Sequence, residues 1–327
     1  MSKKQTFVGF DQDNSSIRAA RLLLEPGKGK GARPRWRLLS AEEVMGDFYE
    51  DVKLIAGLKR IKSKLGVHAS DKISTCLSGK QTYAIQMDVR KLPDAEMAGM
   101  LKLELRKSMP FEASVATFDY QFLPVGPNQP VDQGVPVVVA AAANSYIAKH
   151  IQSYDRAGLK PHHVDILPTS IANAFWVTRK EVVPSDETHV ILHIAPNVCT
   201  LIIDGHRCPF FNRTFAFSIG EVISSAAPAG TADEISQDVI LQMNILASEI
   251  TKSITYYKNT YSCGNVSTIT VLGLHSAHSA FDALGKKMGY DVQTIQTAQL
   301  VHAVRPPRAG KYDLAIGLAM QASGANV

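Results

Sequence analysis

A strand–turn–strand pattern occurs twice in this chain, once near the start of each half. An apolar run, a short polar turn and a second apolar run fill residues 7–24, and the same order recurs in residues 190–203. Apolar segments joined by turn-forming residues are typical of β-hairpins. Two such units, separated by about half of the 327 residues, indicate an internal duplication. The fold is therefore restricted to two halves of similar construction.

Helical and strand-like segments alternate through the rest of the chain. The clearest helix is predicted for residues 236–257, where an apolar residue recurs every three or four positions. A second helix is predicted between Pro93 and Pro110. The mixture of strands and helices predicts an α/β protein with mixed sheets. Because 327 residues exceed what one core of roughly 150 residues holds, we predict two lobes, residues 1–180 and 181–327.

The charge distribution argues against a protein that coats nucleic acid. The net charge is +5, and the basic excess falls in residues 28–37, which contain no acidic residue. Nucleic-acid-binding proteins spread their positive charge over a larger face. Residues 28–37 are predicted to form the solvated tip of a hairpin. The alternative is contact with an anionic membrane surface, with Trp36 as an interfacial anchor.

The cysteines and the apolar runs bear on the compartment and on metal binding. Four cysteines without a CxxC spacing predict free thiols in a reducing compartment. No signal peptide and no long apolar run is visible, so we expect a cytoplasmic protein. A zinc site of His193, Cys199, His206 and Cys208 is one alternative. Cysteine is common in apolar cores, however, and we predict no metal site.

Several short motifs occur in a characteristic order. They are Asp11-Gln12-Asp13-Asn14-Ser15-Ser16 in the first hairpin, Met109-Pro110-Phe111, Phe118-Asp119-Tyr120-Gln121 and Arg156-Ala157-Gly158-Leu159-Lys160-Pro161. In this order they resemble the PilM family of type IV pilus assembly, within the actin-like ATPase superfamily, with the cell-division protein FtsA as a more distant relative. The resemblance implies a duplicated, actin-like (ribonuclease H-like) two-lobe fold. It also implies a small inserted subdomain at about residues 70–167.

The same resemblance implies a nucleotide cleft with two phosphate loops and an adenosine region. The positions that match the family's nucleotide contacts are Asp11, Asn14, Ser15, Ser16, Asn197, Glu249, Lys252 and Gly273. Asp11 matches the acid that holds Mg²⁺ through a bound water molecule. Mg²⁺ is a hard cation that prefers oxygen ligands and keeps several of its waters. Glu249 and Lys252 match the ribose-contacting pair, and the alternative is an ordinary ion pair on a helix surface.

Four positions depart from the family pattern. Asp13 and Ala195 stand where the phosphate loops have glycine, which lets backbone N–H groups approach an anion. Asp13 is expected to direct a carboxylate at the phosphates. His193 replaces the acid of the second loop, and Leu274 replaces the second residue of a Gly-Gly pair. We therefore predict a pseudo-ATPase with no catalytic residues, no firmly held cofactor and at most weak binding of ATP and Mg²⁺.

The family resemblance implies a scaffold that binds another protein. Its partner would be the N-terminal tail of a PilN-like inner-membrane protein, held between the first lobe and the inserted subdomain, so the scaffold would lie peripherally at the inner membrane. Met97, Met100, Leu101 and Leu105 are candidates for lining this groove, but we predict a buried core face. The sequence leaves contact with pilus assembly ATPases and self-association open. The alternatives are an active actin-like ATPase and the cytoplasmic module of a type II secretion platform.

Overall fold

The computed structural model describes most of the chain. The described residues are 5–27, 35–123, 134–178, 188–205, 208–218, 237–261, 266–273, 279–294, 297, 301–303 and 310–323. The predictions made for residues 28–34, His206 and Leu274 fall outside these ranges. Within them, none of the helices has the length and apolar character needed to cross a bilayer.

Strands and helices alternate in the first half, as the sequence pattern indicates. The strands are β1 (Gln5–Gln12), β2 (Ser16–Glu25), β3 (Arg35–Met45), β4 (Lys72–Leu77), β5 (Thr82–Val89), β6 (Ala116–Phe122), β7 (Val135–Ala143) and β8 (Pro161–Ile166). The helices are α1 (Asp51–Leu65), α2 (Asp94–Ser108), α3 (Asn144–Arg156) and α4 (Leu167–Thr178), with a 3-10 turn at Ala113–Val115.

The second half begins with three consecutive strands. Its strands are β9 (Thr188–Ile194), β10 (Val198–Gly205), β11 (Cys208–Ala216), β12 (Val266–Gly273), β13 (Asp291–Thr294) and β14 (Val301–Ala303). Its helices are α5 (Gln237–Tyr261), α6 (Ser279–Met288) and α7 (Asp313–Gln321). The predicted helix at 236–257 is confirmed as α5, whose buried residues, among them Val239, Leu246 and Ile250, lie on one face.

The two large sheets repeat one topology, which confirms the predicted duplication. Five strands in the order β3-β2-β1-β4-β8 correspond to β11-β10-β9-β12-β13. In each sheet three antiparallel strands are followed by parallel ones: β1 pairs antiparallel with β2 and parallel with β4, and β9 does the same with β10 and β12. A third sheet, with the order β5-β7-β6, forms the inserted subdomain.

Helix α2 covers one face of the subdomain sheet. Met97, Leu101 and Leu105 are fully buried and pack with Val137 and Val139 of β7. The predicted core face is therefore confirmed for these three residues, and Met100 is partly buried and packs against the same cluster. Successive residues of a strand point to opposite faces, so Val138 and Ala140 of β7 lie on the face away from α2.

Helices α4 and α7 lie between the two large sheets. Their apolar side chains share one cluster with residues from both sheets, such as Leu77 of β4 and Ile202 of β10. Helix α7 approaches β1 so closely that a Cβ atom at Gly9 would lie 2.0 Å from the Ala315 backbone oxygen. Helix α7 therefore packs against the first strand.

Two predicted boundaries differ from the structure. Strand β14 pairs in parallel with β3, and α7 contacts β1 and β2, so both belong with the first sheet although the predicted lobe 181–327 includes them. The subdomain sheet and α2 fall within residues 82–143, whereas β4 and β8, inside the predicted 70–167, pair with each other in the first large sheet. Pairing between strands distant in sequence leaves no local signal.

The basic hairpin predicted near residues 28–37 is present at its described ends. Strands β2 and β3 are antiparallel, with Glu25 opposite Arg35. The Trp36 ring packs edge-on against Phe7, with 5.5 Å between the ring centroids, and belongs to the cluster around β1 and α7. The ring therefore stabilises the core, which corrects its interpretation as an interfacial anchor.

Candidate functional site

The first loop folds around the side chain of Asp13. This carboxylate accepts hydrogen bonds from the backbone N–H groups of Ser15 (2.7 Å) and Ser16 (2.8 Å), and from their hydroxyls at 2.7 and 3.1 Å. Consecutive N–H groups in a turn form a concavity that binds anions. Here the chain's own carboxylate fills it. Asp13 was expected to point at a phosphate, and the structure corrects this: the carboxylate turns back onto its own loop.

Arg18 closes the loop from the neighbouring strand. Its Nε donates to Asp11 at 2.8 Å, and its terminal nitrogens donate to Asp13 at 2.7 Å and to Ser16 Oγ at 2.6 Å. The Arg18 side chain is only 3% exposed and that of Asp11 8%. Buried charges are tolerated when they are paired and hydrogen-bonded. We call these five residues, Asp11, Asp13, Ser15, Ser16 and Arg18, the Asp13 network.

Charge pairing keeps Asp13 and Arg18 ionised. Burial by itself would raise the pKa of Asp13, but the Arg18 charge and the hydrogen bonds from Ser15 outweigh it and hold this pKa below its usual value. Burial would likewise lower the pKa of Arg18, and the carboxylates of Asp11 and Asp13 raise it instead. A guanidinium therefore already neutralises Asp11, the acid that matches the family's Mg²⁺ position.

The second loop has a neutral imidazole where the family has an acid, and imidazole is a poor ligand for Mg²⁺. His193 is buried at the end of β9, and its Nδ1 has no hydrogen-bond partner among the described residues. Burial lowers the pKa of His193 to about 4, so the imidazole is neutral at physiological pH. The Ala195 N–H donates to the Val198 carbonyl at 3.0 Å and is used within the turn.

A small cavity remains between the two halves. It is lined by Asp11, Arg18, His193, Ile194, Gly273, Gly310, Lys311 and Leu314. Gly273 has a φ of +95°, and a Cβ there would lie 2.4 Å from the Ile194 carbonyl oxygen. The ends of β9 and β12 therefore meet too closely for any other residue.

The other predicted contact residues lie apart from this cavity. Glu249 accepts hydrogen bonds from Arg213 of β11 at 2.6 Å and from Lys252 at 2.7 Å. The Lys252 bond, together with Arg213, holds the pKa of Glu249 below its usual value. Glu249 and Lys252 thus form an ion pair on the helix surface, and their match to the family's ribose-contacting pair stays a prediction. Asn14 and Asn197 are exposed, and their backbone carbonyls accept hydrogen bonds from Phe48 and Phe217.

Arg18 is the functional residue that the sequence reasoning missed. The hairpin register pairs Asp11 directly with Arg18, so a strand pairing drawn from the turn between them would have placed the two side chains together. The available signal was an arginine opposite Asp11, the acid that matches the family's Mg²⁺ position. It indicates that this acid has a protein cation as its partner.

We expect His193 to make the fold sensitive to acid. The unfolded chain takes up a proton on this residue near pH 6.5, whereas the folded chain holds it neutral down to about pH 4. Stability is therefore lost as the pH falls from about 6.5 to about 4, and by linkage the loss at pH 5 is about 2 kcal/mol. Urea unfolding at pH 7 and pH 5 should show this extra loss in the wild type but not in His193→Gln. His150, whose pKa burial also lowers to about 4, is present in both proteins and cancels; equal losses in the two proteins would contradict the prediction.

A second candidate site lies where the subdomain meets the first half. Six partly buried apolar side chains there pack against one shared core cluster: Val138 and Ala140 of β7, Tyr146 and Ile147 of α3, Val164 of β8 and Leu167 of α4. The Tyr146 hydroxyl donates to the Ser78 carbonyl at 2.8 Å, which fixes its ring. We call these six residues the apolar face. Their incomplete burial leaves apolar surface available for a partner.

Solved structures share this fold across nearly the whole chain. A protein of Bacteroides thetaiotaomicron with an actin-like ATPase fold matches with a TM-score of 0.51 at 9% identity, covering 99% of this chain and 96% of that one. The ethanolamine utilization protein EutJ from Carboxydothermus hydrogenoformans matches with a TM-score of 0.53 at 10% identity, covering 96% and 89%. This chain is therefore a protein of the actin-like fold, as the sequence motifs predicted. The model of the family "Type IV pilus assembly protein PilM" matches residues 37–225, more than half of the chain, and the chain belongs to this family.

One further solved structure agrees with the family. A chain of a PilM–PilN type IV pilus biogenesis complex matches with a TM-score of 0.75 at 18% identity, covering 97% of this chain and 98% of that one. No curated protein sequence matches the chain. The predicted resemblance to the PilM family is confirmed, and it associates the chain with type IV pilus assembly.

Proposed function

We propose that this protein is a scaffold of type IV pilus assembly that binds the N-terminal tail of a PilN-like inner-membrane protein. The observation that carries the proposal is the apolar face, found in a chain of the PilM family between the inserted subdomain and the first half. The similarity to a chain of a PilM–PilN complex supports a partner of this kind. Such a partner would hold the scaffold at the cytoplasmic side of the inner membrane.

The apolar face suits an extended peptide. Val138 and Ala140 are two residues apart on β7 and present their side chains on the same side, and an extended chain also repeats every two residues. Alternate side chains of an extended tail would then face Val138 and Ala140, which are partly buried and offer apolar surface. Apolar pockets for alternate side chains then give specificity, as in other extended-peptide complexes.

Binding of a synthetic tail tests the proposal. We expect the full-length chain to bind a peptide from the N-terminal tail of the PilN-like protein of the same organism with a dissociation constant of about 1–10 μM, an affinity usual for a short flexible segment that is ordered on binding. Isothermal titration calorimetry measures it, with a scrambled peptide of the same composition as the control. Equal binding of both peptides, or of neither, would count against the proposal.

We also propose that the nucleotide cleft does not hydrolyse ATP. The Asp13 carboxylate occupies the N–H groups that a phosphate would need, and Arg18 occupies Asp11. Because Arg18 pairs with Asp13 and offsets its charge, a phosphate at this loop would be opposed chiefly by the loss of these N–H donors. The geometry of this loop does not support the alternative function, an active actin-like ATPase.

Removing the Asp13 carboxylate is expected to strengthen ATP binding about tenfold or more. In Asp13→Gly, the Ser15 and Ser16 N–H groups and one Arg18 nitrogen lose their internal acceptor and become available to a phosphate. Titration of ATP with and without Mg²⁺ measures the gain, and Asp47→Gly, at an exposed acid outside the network, is the matched control. A wild-type site with micromolar, Mg²⁺-dependent affinity that Asp11→Ala abolishes would overturn the pseudo-ATPase proposal.

A further inference from the structure

Two sheet edges meet where the subdomain approaches the second half. Strand β5 is an outer strand of the three-stranded sheet, and β11 is an outer strand of the five-stranded sheet. The Phe210 N–H donates to Gln86 Oε1 at 2.6 Å, and Asn212 Nδ2 donates to the Ala84 carbonyl at 2.9 Å. Each edge thus supplies one side chain and one backbone group. We call these two hydrogen bonds the edge contact.

The chemistry of the backbone fixes how both side-chain amides must be oriented. A backbone N–H can only donate, so Gln86 must present its oxygen to Phe210, and a backbone carbonyl can only accept, so Asn212 must present its NH₂ group to Ala84. Phe210 and Ala84 are both buried. Loss of either side chain would leave a buried backbone group without a partner, which costs more than the hydrogen bond itself contributes.

The edge contact lies next to the apolar face. In the pairing of β5 with β7, Ala84 is opposite Ala140 and Gln86 is opposite Val138. The two residues that meet β11 are therefore the direct neighbours of the two β7 residues on the apolar face. On β11, Asn212 is followed by Arg213, whose side chain donates a hydrogen bond to Glu249 of α5. A displacement of β11 would thus act on β5 and, through the strand ladder, on β7.

We propose that the edge contact positions the β7 part of the apolar face, so that Gln86 and Asn212 are positioning residues for the tail and couple its binding to the second half. The identity of the partner rests on the proposed function; the coupling between β11 and β7 does not. Because such coupling is reciprocal, tail binding also stabilises the position of β11. A second partner that binds the β11 side would therefore change the affinity for the tail.

Hydrogen exchange of the full-length chain without any partner tests the coupling. Gln86→Ala and Asn212→Asp should each raise the amide exchange rates of both β11 and β7 by about fivefold, the ratio that corresponds to loss of one hydrogen bond. Gln86→Glu keeps an acceptor for Phe210 and should exchange like the wild type. Gln121→Ala is the matched control, because Gln121 lies opposite Val138 on the other side of β7. Unchanged rates in both test variants would overturn the proposal.

Titration with the tail peptide tests the positioning. Gln86→Ala and Asn212→Asp should weaken peptide binding about five- to tenfold, at the lower end of the usual range of coupling between sites, whereas Gln86→Glu should bind like the wild type. Wild-type affinity in variants whose exchange rates have risen would overturn the positioning role. If the wild type binds no tail peptide, the proposed partner is wrong, and the exchange measurement alone still decides whether β11 and β7 are coupled.

Discussion

Replacing Val138 with glutamate on the apolar face is expected to abolish binding of the PilN-like tail, with affinity lower by at least about 100-fold, as for the central residues of other interfaces. Val138 is only partly buried in the free protein, so a glutamate there can extend its carboxylate into water. A bound tail would cover this position and remove that water. An unpaired buried carboxylate is strongly unfavourable, so the variant should fold but fail to bind.

The matched control is the same change on the opposite side of the subdomain. Leu103 of α2 is 58% exposed, and α2 packs on the other face of the subdomain sheet. Leu103→Glu therefore adds the same charge without touching the apolar face and should bind the peptide like the wild type. Calorimetric titration and circular dichroism of both variants check binding and folding. Wild-type affinity in a folded Val138→Glu protein would show that the tail binds elsewhere.

Replacing Gly9 with alanine is expected to destabilise the protein by about 3 kcal/mol or more, which is at the upper end for overpacked cores. The added Cβ would lie 2.0 Å from the Ala315 oxygen and 2.5 Å from the Ala319 nitrogen. Both atoms belong to the backbone of α7, so relief requires a shift of the whole helix. The free energy of unfolding from urea titration measures the loss.

Gly99 provides the control for this substitution. A Cβ at Gly99 of α2 would meet nothing within 4 Å, and alanine is favoured over glycine inside a helix by roughly 0.5–1 kcal/mol. Gly99→Ala should therefore be slightly more stable than the wild type. If Gly9→Ala unfolds at the same urea concentration as Gly99→Ala, then α7 does not pack on β1 in solution.

The altered phosphate loops could be predicted from the sequence, because the replacement of a loop glycine is visible at a single position. Asp13 and Ala195 are visible in the chain as residues that cannot replace glycine in an anion-binding turn. The direction of the Asp13 carboxylate was wrongly expected, since it depends on the pairing of β1 with β2. That register brings Arg18 to Asp11, and the guanidinium then holds both carboxylates.

In the helices too, the local sequence predicts one property, and contacts with distant residues decide another. The apolar spacing in α2 and α5 correctly predicted their buried faces, and Leu54, Leu58, Ile61 and Leu65 give α1 an equally readable pattern. Spacing identifies the face that is buried, because side chains three and four residues apart lie on one side of a helix. It does not identify what covers that face.

The sequence by itself determined the duplicated hairpins, the helical faces and the family, because turn chemistry, apolar periodicity and short motifs act over a few neighbouring residues. Only the tertiary structure decided that β14 joins the first sheet, that α7 packs on Gly9, and that β5 meets β11 through Gln86 and Asn212. These contacts join residues far apart in the chain. Their formation depends on the packing of whole elements, for which the local sequence carries no separate signal.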